Sequence, residues 1–135
     1  MRSALERARG LVRKSDHDFA IARLGLRHQE ALDMVCFHLQ QGLEKLLKAV
    51  LECHEIEYPP THSLVALLDL AQPVVPSLGA FRGLLPEYMP YAVRARYDEA
   101  LYPSLQEAEA ALEHAEQFRS AARALLPPEV TAAER

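Results

Sequence analysis

Apolar and small residues recur every three or four positions through most of the chain, the period of a helix buried along one face. Leu5, Ala8, Val12, Phe19, Ala22 and Leu26 set this rhythm over about residues 2 to 25, with Gly25 as the expected stop. Leu32, Val35, Cys36, Leu39, Leu43, Leu46, Leu47 and Val50 carry it more strongly over about residues 28 to 55, and Pro59-Pro60 breaks it. Thr61 or Ser63 can cap a short third helix through Leu64, Leu67, Leu68 and Leu70, ended by Pro73 and Pro76. Leu78, Phe81, Leu84 and Leu85 predict a fourth helix, closed off by Pro86 and Pro90. From Pro103 onward, Leu105, Ala108, Leu112, Ala115, Ala122 and Leu125 describe a long final helix that Pro127-Pro128 stops. No run of period two bounded by turn residues appears, so no sheet is expected. The pattern predicts an all-α, up-and-down bundle of three long helices plus one or two short ones. It forms a single domain over residues 1–126, with a frayed tail over 127–135.

The second helix raises a question, because VCFHLQQGLEKLLKAVL (residues 35–51) carries polar groups along its middle. On a wheel of about 100° per residue, Leu39, Leu43, Leu46, Leu47 and Val50 form one arc with Cys36. Gln40 falls inside that arc and Glu44 beside it, whereas His38 and Lys45 fall on the opposite, wet side. An inward carboxylate or amide needs hydrogen-bonding partners or costs several kcal/mol. Arg94 and Arg96 are the expected partners of Glu44, since a guanidinium fork satisfies a buried carboxylate well. Glu44→Ala should then be costly and Lys45→Ala nearly neutral. Gly42 in mid-helix costs about 1 kcal/mol against Ala, which points to close approach of another helix backbone.

Composition narrows the function classes. The 135 residues are half apolar and one quarter charged, the profile of a folded globular domain. A net charge of −4 argues against a general electrostatic footprint for nucleic acid and leaves room only for a local basic patch. No apolar run is long enough to span a bilayer and the N-terminus lacks a signal-peptide core, so a cytoplasmic protein without a membrane role is expected. Cys36 and Cys53 sit on one predicted helix, roughly 26 Å apart, which excludes a disulfide between them.

Three segments carry a family resemblance. Phe37-His38-Leu39-Gln40-Gln41 followed by Glu44-Lys45 and Lys48 resembles the F-x-x-Q-Q-x-x-E-K-x-x-K signature of the HEPN family. Thr61-His62-Ser63-Leu64 resembles the family's T-H-x-L, and Arg96-Tyr97 followed by Asp98 resembles its R-Y-x-D. The resemblance spans roughly residues 1–125 and implies a HEPN-like bundle that commonly forms a homodimer. It also implies a minimal nucleotidyltransferase as partner, in a toxin–antitoxin-like system, and a nucleotide or RNA as ligand. Gln40, Glu44, Lys48, His62, Arg94, Arg96 and Tyr97 are the residues expected to bind that ligand. Many family members are ribonucleases that place a histidine four to six residues after an arginine, near the start of the last helix. Here Arg94 and Arg96 have no histidine after them before His114, so no catalytic residue is assigned. Arg23 to His28 satisfies that spacing, but at the junction of the first two helices.

Other chemistry is absent from the pattern. No histidine has an acidic residue three positions before it, so the di-metal carboxylate arrangement is missing. Neither zinc spacing nor a glycine-rich phosphate loop occurs, and no metal or cofactor beyond a nucleotide is expected. Arg7, Arg9, Arg13 and Lys14 read as a solvated helix face that could also meet an acidic partner or phosphates. The reading is therefore a non-catalytic HEPN-type module that dimerises and binds a nucleotide and/or a nucleotidyltransferase. Its rivals are a metal-independent endoribonuclease and a structural adaptor with no small-molecule site. Phe81, Leu84, Leu85, Tyr88 and Met89 are the expected dimer interface.

Overall fold

Two long helices joined by a tight turn make the frame, and the structure, a computed structural model, describes residues 1–132. Helix α1 spans Ala4–His28 and begins in a capping box, in which Ser3 Oγ accepts from Glu6 N and Glu6 reaches back to Ser3 N. Helix α2 spans Leu32–Cys53, α3 Leu64–Ala71, α4 Leu105–Ala124 and α5 Pro128–Thr131. No strand occurs among the described residues, and none of their helices is long and apolar enough to cross a membrane.

Boundaries differ from the pattern where backbone geometry overrides it. Gly25 does not stop α1, which runs to His28 and ends on Gln29 in the left-handed region (φ 54°). A Cβ on Gly25 would lie 2.8 Å from Val35 Cγ2, so this glycine serves packing of α1 against α2. Ala31 (φ 48°) completes the turn. The predicted fourth α-helix is absent. Prolines 76, 86 and 90 remove the amide donors that an α-helix needs, and the segment forms 3-10 turns at Pro76–Phe81, Leu85–Tyr91 and Arg94–Arg96. The tail also departs from expectation. Pro128 starts a helix instead of only ending one, and Val130 is 1% exposed in the core. Residues 133–135, the rest of the expected frayed tail, lie outside the described residues.

Helix α2 is the core element, packed by α1, α3, α4 and the 3-10 segment Leu85–Tyr91. Leu39, Leu43, Leu46, Leu47 and Leu51 are fully buried, at a stabilisation of roughly 1.5–3 kcal/mol each. Gly42 lets α1 come close, though through a ring and not a backbone: its Cβ would lie 2.7 Å from Phe19 Cε2. Ser15, buried beside it, donates from Oγ to the Gly42 carbonyl at 2.8 Å. The expected dimer interface is largely consumed inside the protomer. Leu85 and Tyr88 are buried, Tyr88 donates to the Ala111 carbonyl at 2.6 Å, and Phe81 packs edge-on against Phe118.

Candidate functional site

Glu44 is the centre of a buried polar cluster, 5% exposed, and Gln40 beside it is fully buried. Both face inward, as the wheel predicts. Gln40, Glu44 and Lys48 repeat every four residues and so share one stripe of α2. Glu44 Oε2 accepts from Lys48 Nζ at 2.9 Å, and Oε1 accepts from Gln40 Nε2 at 3.2 Å and meets His62 Nδ1 at 2.9 Å. Gln40 Nε2 also donates to the His62 carbonyl at 3.0 Å, and Gln41 Nε2 donates to Gln40 Oε1 at 2.6 Å. The loop after α2 delivers His62. Thr61 Oγ1 accepts from Ser63 N, Ser63 Oγ caps α3 by accepting from Ala66 N, and His62 is fixed between them.

Burial alone would push the Glu44 carboxyl up, but hydrogen bonds from Lys48, His62 and Gln40 outweigh it and hold the group below the usual carboxylate range. Its oxygens are occupied. The His62 ring is the open edge of the cluster, with 56% of its side chain exposed.

The expected arginine partners are elsewhere. Arg94 Nη2 pairs with Asp98 Oδ2 at 2.7 Å, four residues on, and is solvated. The Arg96 guanidinium lies 5.6 Å from the centroids of both Phe37 and Tyr97, the latter 76% exposed. Local partners on α2 and the cap of α3 saturate Glu44 before a distant guanidinium is needed. Arg96 and Tyr97 are nevertheless not far removed in register. Phe37, Gln40 or Gln41, and Glu44 follow one another at helical spacing, so the stripe carries Arg96 at one end and His62 at the other. The rise from Phe37 to Glu44 is roughly 10 Å at about 1.5 Å per residue. The structure thus gathers Gln40, Glu44, Lys48 and His62, sets Arg96 against Phe37 one turn before Gln40 with an exposed Tyr97 on its other side, and leaves Arg94 outside.

A second buried carboxylate went unseen in the sequence. Asp18 on α1 accepts from Lys45 Nζ at 2.5 Å and meets His38 Nδ1 at 2.8 Å. His38 and Lys45, expected in solvent, are therefore part-buried in the α1–α2 seam. The signal available was an acidic residue directly before Phe19 in an apolar rhythm, with Gly42 opposite.

The remaining sequence candidates resolve simply. Arg23 holds Glu116 through two hydrogen bonds of 2.8 and 2.7 Å and stacks on Phe19, so it joins α1 to α4. His28 is exposed at the end of α1. His114 lies in the third turn of α4, half-buried, with Nδ1 unpaired among the described residues. Cys36 is buried, and its thiol is pushed up to about 12 by that burial, which makes it inert as a nucleophile.

Comparisons with curated proteins and with solved structures find no match. The HEPN domain family model, by contrast, matches residues 8–125, which takes in α1 through α4, the Glu44 cluster and the Arg96–Tyr97 turn. The chain belongs to the HEPN domain family.

Proposed function

We propose that this chain is a non-catalytic HEPN module that dimerises and binds a nucleotide and/or a minimal nucleotidyltransferase partner, in a toxin–antitoxin-like arrangement. The observation that carries the reading is the separation of arginine from histidine. An arginine can stabilise developing charge on a phosphate, but a proton must also be taken and returned near neutral pH, the task of a positioned imidazole. Arg94 is bound to Asp98, Arg96 rests on two aromatic rings, and His114 is half-buried well inside α4. What the stripe offers instead is recognition: a cation on aromatic faces at one end, and a carboxylate-oriented imidazole at the other. That combination suits a base and a phosphate held in place. Purified protein should leave RNA uncleaved and give twice 15.1 kDa by light scattering at micromolar concentration. ATP should bind, and Lys48→Ala or Arg96→Ala should weaken it. A stable 15.1 kDa particle that ignores ATP would defeat the reading.

One observation favours the endoribonuclease as a second reading. Glu44 orients an exposed His62, the base-and-orienter arrangement that general-base catalysis uses. RNA cleavage abolished by His62→Ala would establish that reading and remove the first.

A further inference from the structure

We propose that the groove between α1 and the second half of α2 binds a compact polyphosphate anion, beside the Glu44 cluster, which it meets where Lys48 Nζ lies 5.8 Å from the Tyr58 ring. The groove has a volume of about 660 Å³, within the range of small-ligand sites, and its walls include Arg2, Arg7, Lys14, His17, Lys45 and Tyr58. With Arg13 it collects five of the chain's 15 Lys and Arg residues against one lining carboxylate, Glu52. Asp18 beneath it pairs with Lys45, Glu52 pairs with Arg7, and the Glu6 carboxylate lies close enough to Arg2 to feel its charge, so Lys14 is an uncompensated cation in a chain of net charge −4. Nothing among the described residues pairs with Lys14 or His17.

The groove is built. Arg7, Leu11, Lys14 and the residues after them return at helical spacing, so one stripe of α1 faces it. Gly10 sits in that stripe, in mid-helix, where glycine is unfavourable by about 1 kcal/mol. Its missing side chain is the seat for Arg2: a Cβ there would lie 2.5 Å from Arg2 Nη2. Arg2 Nη2 donates to the Glu6 carbonyl at 3.1 Å, and Arg7 Nη1 donates to the Arg2 carbonyl at 2.6 Å, which folds the N-terminal residues across the helix. On the far wall Tyr58 donates to Glu52 Oε2 at 3.0 Å. Burial, then Glu52, push its hydroxyl up to about 12, so it stays a neutral donor.

Charge also sets the length of the ligand. Past Arg7 and Tyr58 the adjoining hollow is lined by Glu52, Glu55 and Glu57. A strand running out of the groove in that direction would meet three carboxylates, whereas a short anion stays among the cations.

The test is calorimetric titration of the full chain with tripolyphosphate and with ATP at low salt, with melting curves showing that each variant is folded. Tripolyphosphate should bind, and binding should weaken as salt rises. Lys14→Glu and Arg2→Glu should each weaken it by about tenfold, while Arg27→Glu, the same charge change at the far end of α1, should leave it unchanged. Gly10→Ala should displace the Arg2 guanidinium and weaken binding by about twofold despite its better helix propensity. If ATP and tripolyphosphate bind alike, the phosphate chain is what the groove reads; tighter ATP binding that Tyr58→Leu removes adds the nucleoside. Both results support the site. Failure of either anion to bind, or binding indifferent to Lys14→Glu and Arg2→Glu, overturns it. A 10-mer RNA that outcompetes both short anions overturns the compact ligand. ATP binding lost in Arg96→Ala but intact in Lys14→Glu would overturn the groove and leave the proposed function standing.

Discussion

Two buried carboxylates organise this bundle, and they are satisfied in different ways. Glu44 draws on its own helix, taking Gln40 and Lys48 at four-residue spacing, and adds His62 from the loop that follows. Asp18 has no such neighbours and takes His38 and Lys45 from the opposing helix, 20 and 27 residues away. A cluster assembled within one helix holds its geometry through that helix. A cluster assembled across a seam fixes how two helices sit together. The first therefore presents a prearranged group, His62, at the surface, whereas the second spends its polarity on register between α1 and α2.

The largest expected effect is at Glu44. Removing it leaves Lys48 without its acceptor and Gln40 without one of its two in a largely buried place, and Glu44→Ala should cost about 2–4 kcal/mol in urea unfolding. Asp18→Asn comes next at about 1–3 kcal/mol, because the amide keeps the shape but loses the charge between two donors. Lys45→Ala should cost about 1 kcal/mol, not the negligible amount that the wheel implies. A cost near zero there would reduce the Asp18 seam to a solvated face and break the comparison.

Acid should report on the Glu44 cluster. The folded state holds the Glu44 carboxyl below its ordinary value, so its contribution is complete above the ordinary carboxylate range and is lost as pH falls through the depressed value. Glu116, held down by Arg23, has the same sign, so the informative quantity is a difference. Between about pH 6 and pH 3, stability of Glu44→Gln should fall less steeply than that of the parent chain. Parallel slopes would contradict the assignment. The smallest effect is expected at Arg94→Ala, within about 0.5 kcal/mol, because its pair with Asp98 is solvated.

The periodic part of the sequence predicted well what periodicity governs. Helices α1, α2, α3 and α4 lie close to where the apolar spacing puts them, and Ser63 caps α3 as its position suggested. The inward aim of Gln40 and Glu44 was also legible, since one helix decides it. What failed depends on proline chemistry or on a second helix. The segment from Pro76 to Tyr91 has helical spacing but lacks donors, so it tightens into 3-10 turns. A wheel drawn for α2 alone cannot know that α1 covers His38 and Lys45. Nor can it know that His62 arrives before an arginine does, because that is set by the loop ahead of α3. The same blindness hid the α1–α2 groove: four cations on one helix read as a wet face, yet three of them, Arg7, Arg13 and Lys14, share a groove with Lys45, Tyr58 and the folded-back Arg2.

The most direct test of the account is a pair of double-mutant cycles on stability, with Glu44→Gln as one arm of each. Glu44 against His62→Ala should give a coupling energy of about 0.5–2 kcal/mol, whereas Glu44 against Arg96→Ala should give none beyond about 0.3 kcal/mol. Coupling to Arg96 with none to His62 would contradict the cluster, and with it the site from which the proposed function is drawn.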